Sequence, residues 1–361
     1  MAHLRCALLL LIALLLPSCG GSGPNPFATA SSVVALRPTA AIVFVSDAYA
    51  SKPGGLREVF AIDEDGSNMI RLTTCNTATR QCDSSEVAPA SDRRRLAIRR
   101  ITADTDKNGR LGPGDAEAVV IADTERGVEG ALSLQAPSSA GVALLATDHL
   151  SGLDWSPVAD ILVYSANGDG GSDDLFRSIP RPDTDNSQTR NLTFSASVRE
   201  RRPRVDPSGN VAAFERSDAT TKSQIWIFQT TVSILQVTSG GPGSDVLAGT
   251  QMLVGGDTDP DYSPDGLSLV FRRLSGIGNG GLGTWDLLTV RTDGTALTTI
   301  VSGPFYRSAP DWGAKGIVFS EIDRTTGLAQ LVVVQPDGSG RRVLATLNGF
   351  DIASTRWLAP R

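Results

Sequence analysis

The segment from Asp104 to Asp115 has the residue types and spacing of a loop that binds a metal ion. It reads D-T-D-K-N-G-R-L-G-P-G-D, with oxygen-bearing side chains at its first, third, fifth and twelfth positions and glycine at its sixth. This is the ligand spacing of a calcium loop, in which the seventh residue contributes its backbone carbonyl. The predicted ligands are Asp104, Asp106, Asn108, the carbonyl of Arg110, and Asp115.

Two interpretations of this loop are open. The flanking sequences, R-R-L-A-I-R-R-I-T and A-E-A-V-V-I-A-D, are typical of strands, so the loop lacks the helices of an EF-hand. A solvated turn would also use aspartate and glycine. However, Leu111 supplies the apolar eighth position of calcium loops, and the pattern resembles dockerin-type loops, whose last ligand is aspartate. We therefore predict a structural calcium ion with no catalytic role.

The sequence contains little that points to catalysis. Its two histidines are His3 and His149, and only His149 lies outside the N-terminal signal described below. A Ser-His-Asp hydrolase needs a general base beside its nucleophile, and no G-x-S-x-G elbow occurs. The glycine-rich segments at 168–172 and 276–283 open no helix, so they are predicted as hairpin loops rather than phosphate-binding loops. The sequence therefore predicts a protein that is not an enzyme.

A repeated pattern organises the rest of the chain. Each copy has a bulky residue, then a turn rich in Pro, Asp and Gly, then an apolar strand, and the clearest copy is D-P-D-Y-S-P-D-G-L-S-L-V-F from Asp259. The bulky residues, which we call anchors, are Ser91 in a degraded copy, Trp155, Val205, Tyr262, Trp312 and Trp357. Neighbouring anchors are 45 to 64 residues apart, which leaves room for four short strands in each unit.

Six such units predict an all-β fold, a six-bladed β-propeller of four-stranded antiparallel blades. The first unit starts near Thr39 without an anchor strand before it, and the last anchor, Trp357, has no strands after it. We therefore expect the C-terminal strand to complete the first blade, which closes the ring and leaves no long exposed sheet edge. The propeller is predicted to span residues 39–361.

The copies D-P-D-Y-S-P-D-G and A-P-D-W, together with strand pairs that end in D-G and L-T, resemble the repeats of TolB-like propellers. The resemblance covers roughly residues 39–361 and implies the same propeller fold. TolB itself has an additional α/β domain before its propeller, where this chain has a short tether. The resemblance is therefore not extended to the particular partners of TolB.

The first residues have the organisation of an export signal. Arg5 is followed by an apolar run, Ala7–Leu16, which is too short to span a bilayer as a helix because that takes about 20 residues. The following L-P-S-C resembles a bacterial lipoprotein signal. This resemblance implies a signal peptide at 1–18, lipidation of Cys19, and a flexible tether at 19–38. The expected location is the periplasmic side of the outer membrane, and an ordinary secretory signal is the alternative.

Net charge disfavours one class of ligand, and the cysteine content predicts a disulfide. The chain has 33 basic and 39 acidic residues, a formal charge of −6, and no dense basic run, which disfavours nucleic-acid binding. Beyond Cys19, the chain has two cysteines, Cys75 and Cys82. Two neighbouring cysteines in an oxidising compartment are predicted to form a disulfide.

The residues that precede the anchors are a second candidate site. They are Ala90, Asp154, Arg204, Asp261, Asp311 and Arg356. Because the anchors belong to the innermost strands, we expect the charged members of this set near the mouth of the central channel. There they could bind a polar ligand or a peptide of a partner. The alternative is that they form salt bridges between neighbouring blades and cap turns.

Together, these patterns predict a lipid-anchored propeller that serves as a non-catalytic scaffold for an envelope protein or polymer, since propeller faces are rigid surfaces built from loops. Membrane contact is expected through the lipid anchor only. The alternative is a calcium-dependent propeller enzyme of the lactonase or sugar dehydrogenase type. Histidine separates the two, because an acid–base channel would usually need it and the repeats contain none.

Overall fold

The computed structural model describes residues 32–48, 55–74, 81–112, 115, 117–132, 151–167, 172–180, 189–195, 197–218, 220–229, 233–240, 246–248, 251–253, 255–277, 283–323, 325–348 and 351–358. The secondary-structure elements in these residues are all β-strands. None of the described segments forms a helix long and apolar enough to cross a membrane.

The strands form six antiparallel blades. β1 (Ser32–Val33) precedes the first blade, which contains β2 (Ala40–Ser46), β3 (Glu58–Asp63) and β4 (Ile70–Arg71) and is followed by β5 (Thr73–Thr74). The second blade contains β6 (Asp83–Pro89), β7 (Arg95–Ile101), β8 (Glu117–Asp123) and β9 (Val128–Leu132). The third contains β10 (Ser151–Trp155), β11 (Leu162–Asn167), β12 (Asp173–Ser178) and β13 (Arg190–Asn191).

The second half of the ring follows the same plan. The fourth blade contains β14 (Arg199–Val205), β15 (Val211–Ser217), β16 (Gln224–Gln229) and β17 (Ile234–Gln236), and a separate hairpin follows, β18 (Val246–Ala248) with β19 (Gln251–Leu253). The fifth contains β20 (Asp257–Tyr262), β21 (Ser268–Ile277), β22 (Gly283–Arg291) and β23 (Thr298–Val301). The sixth contains β24 (Tyr306–Arg307), β25 (Asp311–Gly313), β26 (Gly316–Asp323), β27 (Leu328–Val334) and β28 (Arg342–Asn348), and the last strand is β29 (Ile352–Trp357).

The C-terminal strand closes the ring, as predicted. β29 pairs with β2, so the first blade has the strand order β29, β2, β3, β4 from the inside outwards. Trp357 pairs with Ile42, and its indole Nε1 donates a hydrogen bond to the Gly316 carbonyl of the sixth blade at 3.0 Å. The last strand therefore belongs to the first blade by its backbone and contacts the sixth by its side chain.

The second blade departs from the predicted alignment by two residues. Pro89 pairs with Leu96 across the first turn, which is the register that anchors of other blades have with their second strands. The anchor is therefore Pro89 rather than Ser91, and the residue before it is Ala88 rather than Ala90. The repeat is hard to recognise here because the turn has Arg93, with a left-handed φ of 57°, where the fourth and fifth blades have Gly209 and Gly266.

Apolar clusters fill the interfaces between blades. One cluster joins the first and second blades through residues such as Val43, Val59, Ile98 and Val120. Comparable clusters join the second blade to the third, the fourth to the fifth, the fifth to the sixth, and the sixth to the first. Each fully buried aliphatic or aromatic side chain contributes roughly 1.5–3 kcal/mol. Because these contacts join neighbouring sheets, a blade reaches its full stability only within the ring.

The ring has two faces that carry different connections. The turn face carries the turns that follow the anchors and those between third and fourth strands, and the opposite face carries the loops between second and third strands. β1 pairs antiparallel with β5, and the Val34 amide donates to the Leu72 carbonyl at 2.7 Å. Because β5 runs towards the opposite face, the chain enters the first blade from that face. The end of the predicted tether thus includes a strand.

Glycines in the turns between third and fourth strands lie where neighbouring blades touch. A Cβ built at Gly66, where φ is +85°, would lie 2.2 Å from the Leu344 carbonyl oxygen of the sixth blade. A Cβ at Gly338, where φ is +82°, would lie 2.2 Å from the Ile300 carbonyl oxygen of the fifth. Since φ and space both require glycine, the D-G dipeptides of the repeat serve the packing between blades as well as the turn.

We expect Gly66→Ala to destabilise the propeller by roughly 3 kcal/mol, through left-handed backbone strain and collision with the Leu344 carbonyl. Gly109 provides a matched control because its φ is +84° and no heavy atom lies within 4 Å of a built Cβ. Gly109→Ala should cost only the backbone strain, about 1–2 kcal/mol. Urea unfolding of both variants in EDTA measures the difference. Equal losses would show that the contact between the blades is loose.

Candidate functional site

The charged residues predicted at the channel mouth come together in the structure. They occupy equivalent positions on the innermost strands of five blades, one residue before each anchor, and they are Asp154, Arg204, Asp261, Asp311 and Arg356. All five are at least nine-tenths buried. The structure therefore places them around the propeller axis near the turn face.

Three of the carboxylates bind the next blade directly. Asp154 Oδ2 accepts a hydrogen bond from the Val205 backbone amide at 2.7 Å. The equivalent bonds run to Asp261 from the Trp312 amide (2.6 Å) and to Asp311 from the Trp357 amide (2.8 Å). A hydrogen bond to a charged group contributes about 1.5–3 kcal/mol. Each of these bonds connects one innermost strand to the anchor of the next blade. Such contacts between blades are the alternative to ligand binding that the sequence analysis gave.

Two arginines and a glutamate face one another across the axis. Glu86 Oε1 is 3.9 Å from Arg204 Nη2 and 3.8 Å from Arg356 Nη2. Arg204 Nε is 4.0 Å from Asp261 Oδ1. Arg356 Nη1 is 3.8 Å from Asp311 Oδ1. Around the axis, each arginine therefore follows two carboxylates, and all four separations are longer than a hydrogen bond.

Glu86 is a member of this cluster that the sequence analysis missed. It lies on the innermost strand of the second blade, three residues before Pro89, where the repeat is degraded. Its Oε2 accepts a hydrogen bond from the Gly152 amide of the third blade at 3.0 Å. The corrected alignment puts Ala88 at the position before the anchor, so the repeat pattern does not point to Glu86.

A cavity opens from the charged cluster at the turn face. It has a volume of about 50 Å³. Its lining includes Asp154, Asp311, Arg356, Trp155, Trp357 and Pro157. The two tryptophans are fixed by hydrogen bonds from their indole nitrogens, that of Trp155 reaching Asp160 Oδ1 at 3.2 Å. A concave site with fixed aromatic walls and a few charged groups is a candidate binding site.

A second charged layer joins the fourth and fifth blades. Arg202 Nε is 3.3 Å from Asp259 Oδ1, and Arg202 Nη1 donates to Glu215 Oε1 at 2.9 Å. Arg272 Nε donates to Asp259 Oδ2 at 2.7 Å. Burial acts to raise the pKa of Asp259, but the charges of Arg202 and Arg272 outweigh it and lower the pKa to about 2. Asp259 and Glu215 in turn raise the pKa of Arg202 above its ordinary value.

The predicted metal loop forms a compact cluster of oxygens on the opposite face. Side-chain oxygens of Asp104, Asp106 and Asp115 lie within 4.8 Å of one another. Asp104 Oδ1 accepts a hydrogen bond from the Asn108 amide at 3.1 Å, and Asn108 Oδ1 accepts one from the Arg110 amide at 2.9 Å. The structure therefore brings the predicted ligands into one loop, far in the fold from the channel mouth.

Asp115 closes this loop. Its Oδ1 accepts a hydrogen bond from the Thr105 amide at 2.6 Å, and its Oδ2 accepts one from the Gly112 amide at 2.9 Å. Burial acts to raise the pKa of Asp115, but the amide groups of Gly112, Asp106 and Thr105 outweigh it and lower the pKa. Ionised carboxylates with nearby amide and carbonyl oxygens are the donor set that calcium prefers.

The remaining predicted sites lie wholly or partly outside the described residues. Cys19, Cys75 and His149 are not among them. Cys82 is buried immediately before the second blade. Lipidation of Cys19 and a disulfide between Cys75 and Cys82 stay predictions.

Comparison with known proteins identifies the fold. No protein-family profile and no curated protein matches the sequence. Among solved structures, TolB from Acinetobacter baumannii is similar with a TM-score of 0.60 and 15% identity, covering 89% of this chain and 67% of that chain. A putative TolB from Agrobacterium tumefaciens has a TM-score of 0.55 and 12% identity, covering 88% and 98%. A chain of a nidogen/laminin complex has a TM-score of 0.55 and 9% identity, covering 89% and 99%. These similarities confirm a TolB-like propeller fold.

We expect Asp259→Asn to reduce stability at neutral pH by about 2 kcal/mol or more, because the ordinary pKa of 3.8 falls to about 2 in the folded protein. A depressed folded-state pKa gives stability that is present above the unfolded pKa and is lost as the pH falls through about 2. Urea unfolding of both proteins from neutral to acid pH measures this contribution. The two stability curves should converge in acid, and a constant gap would contradict the assigned charge.

Proposed function

We propose that this TolB-like six-bladed β-propeller is a non-catalytic docking module that binds an envelope protein or polymer through its turn face. The observation that supports the proposal most directly is the presence, on one face, of exposed apolar side chains next to the charged cavity. Protein-binding surfaces combine apolar contact area with a few buried polar groups that set orientation.

Two exposed aliphatic side chains lie in the first turns of the third and fifth blades. Val158 is 65% exposed and Leu267 is 55% exposed. The turn of the fourth blade connects them, because a Cβ built at Gly209 would lie 2.3 Å from Val158 and one at Gly266 would lie 3.5 Å from Pro207. These turns form a continuous surface, which we call the apolar rim: Pro157, Val158, Pro207 and Leu267. Its first residue also lines the cavity.

The path of the N-terminal segment is consistent with docking at this face. The chain joins the outer edge of the first blade from the opposite face, through β1. We propose that Cys19 is lipidated and anchors the protein on the periplasmic side of the outer membrane. The 13 residue steps from Cys19 to Ser32 can span at most about 45 Å. The anchor would then hold the opposite face towards the membrane and leave the turn face free.

Catalysis is the less favoured function. The axial carboxylates accept hydrogen bonds from anchor amides, which occupies them in holding the ring together. A lactonase or sugar dehydrogenase would need a metal ion or an acid–base pair on the axis. Within the described ranges, the cluster that has metal-ligand geometry is the Asp104 loop, on the opposite face. A calcium soak that located an ion on the axis would favour the enzyme.

Photo-crosslinking in the intact envelope tests the docking proposal. We expect benzoylphenylalanine at Val158 and at Leu267 to form the same adduct, which mass spectrometry would identify, because both side chains project from the proposed interface. Phe194 is the matched control since it is 72% exposed and lies in the connection at the opposite face. The same substitution at Phe194 should form no such adduct.

Charge substitution provides the second arm of this test. Val158→Asp combined with Leu267→Asp should reduce co-purification of the partner identified by the cross-links by tenfold or more, roughly the effect of losing interface residues worth about 1.4 kcal/mol. Phe194→Asp should leave recovery unchanged. Adduct formation from Phe194 alone, or full recovery by the double variant, would contradict docking at the turn face.

We also propose that the loop from Asp104 to Asp115 binds a structural calcium ion. Three carboxylates whose oxygens lie within 4.8 Å repel one another, and a divalent cation would neutralise that repulsion. The residues that would hold the ion are Asp104, Asp106, Asn108, the Arg110 carbonyl and Asp115. When bound, calcium would order the connection between the second and third strands of the second blade.

Calcium is expected to raise the thermal unfolding temperature of the EDTA-treated protein, because a ligand at 100 times its Kd stabilises the folded state by about 2.7 kcal/mol. Asp104→Asn combined with Asp106→Asn should abolish the shift. Asp293→Asn, in an exposed D-G turn of the fifth blade, is the matched control and should retain it. An unchanged wild-type melting curve in calcium would refute the site.

A further inference from the structure

Phe194 combines a solvent-exposed aromatic ring with an unfavourable backbone conformation. It lies in the connection between the third and fourth blades, on the opposite face, and it is 72% exposed. Its φ of 50° is left-handed, a conformation that glycine adopts far more readily than a bulky residue. Hydrogen bonds hold this turn: Asn191 Oδ1 accepts one from the Phe194 amide at 3.2 Å, and Asp174 Oδ1 accepts one from the Ser195 amide at 2.8 Å. Since neither the core nor the turn needs an aromatic residue here, Phe194 points to a contact outside the chain.

Two more apolar features lie on the same face in the neighbouring blades. The hairpin of β18 and β19 belongs to the connection from the fourth blade to the fifth, and its strands, V-L-A and Q-M-L, contain no charged residue. β18 lies beside β21, whose last residue, Ile277, is 44% exposed. Phe194, this hairpin and Ile277 therefore follow one another around the opposite face, and we call them the apolar arc.

The apolar arc lies across the ring from the point where the N-terminal segment enters. In a ring of six blades the fourth is opposite the first, which the segment joins through β1 from the same face. Because the 13 residue steps from Cys19 to Ser32 span at most about 45 Å, a lipid on Cys19 would keep this face close to the bilayer. A flexible tether alone would let the propeller pivot about its first blade, and a second contact across the ring prevents that.

The charges around the apolar arc are compatible with a lipid surface. Arg199, the first residue of β14, is exposed on this face, and a guanidinium suits a phosphate headgroup. The clustered carboxylates of the Asp104 loop belong to the second blade, outside the arc. Aromatic and aliphatic side chains next to arginine are typical of segments that lie in the interfacial layer of a bilayer.

We infer that the apolar arc inserts into the surface of the phospholipid bilayer that carries the lipid anchor. The Phe194 ring and the Ile277 side chain enter the boundary between headgroups and acyl chains, and Arg199 stays at the level of the phosphates. The inference rests on the proposed lipidation of Cys19. It adds a second membrane contact, which fixes the opposite face against the bilayer and presents the turn face to the periplasm.

Photo-crosslinking to lipid in the intact envelope tests this inference. We expect benzoylphenylalanine at Phe194 and at Ile277 to form adducts whose added mass is that of a phospholipid, which mass spectrometry distinguishes from a protein adduct. Val158 is the matched control because it is 65% exposed but lies on the turn face. The same substitution at Val158 should form no lipid adduct.

Substitution of Phe194 separates a lipid contact from a structural role. Phe194→Gly removes the ring and relieves the left-handed strain, so the melting temperature should stay the same or rise. The lipid adduct from benzoylphenylalanine at Ile277 should nevertheless fall by roughly threefold or more, because the arc loses its aromatic contact. Phe194→Trp keeps an interfacial aromatic ring and should retain the adduct. A lower melting temperature with an unchanged Ile277 adduct would show a structural role and overturn the inference.

The outcomes separate this inference from the proposals beside it. An acylated Cys19 without a lipid adduct from Phe194, or equal lipid adducts from Val158, would overturn the inference and leave the lipid anchor in place. A protein adduct from Phe194 would overturn it as well, by showing a protein on this face. A Cys19 without lipid would refute the anchor together with the inference. Loss of the partner adduct from Val158, with lipid adducts confined to Phe194 and Ile277, would contradict the docking function alone.

Discussion

Pairing of β29 with β2 closes the ring, and both the packing of the blades and the axial cluster require this closure. The apolar clusters lie between neighbouring sheets, so an open ring would leave apolar faces of two blades in water. The closing strand also carries Trp357, whose amide binds Asp311, and Arg356, which completes the axial cluster. Ring stability and the candidate site therefore depend on the same strand, β29 (Ile352–Trp357).

The two axial arginines lie beyond hydrogen-bond distance of the carboxylates around them, and this geometry bears on their role. Carboxylates such as Asp154 gain hydrogen bonds from anchor amides, whereas the guanidiniums of Arg204 and Arg356 lie 3.8–4.0 Å from the nearest acidic oxygens. Buried ion pairs with this geometry stabilise a fold weakly, and apolar side chains of similar volume often stabilise it to the same extent or more. Stability alone therefore gives a weak account of these two arginines, of which Arg356 lines the cavity at the turn face.

The two faces divide the proposed roles. The turn face carries the apolar rim and the cavity, built from turns that the packed blades hold rigidly. The opposite face receives the N-terminal segment and carries the loop of clustered carboxylates. Since a propeller fold serves many functions, these local sites rather than the fold define what the protein does.

The blade plan, the closing strand and the equivalence of residues such as Asp154 and Asp311 could be predicted from the sequence, because turn chemistry and strand periodicity are local. The repeat pattern misaligned the second blade, where Arg93 replaces the turn glycine, and it missed Glu86, which lies three residues before the anchor rather than one. The closeness of Glu86 to both axial arginines, and the position of Arg356 beside a cavity, follow from the tertiary structure alone. Those contacts join side chains from different blades across the axis, and no local pattern in the sequence encodes such distances.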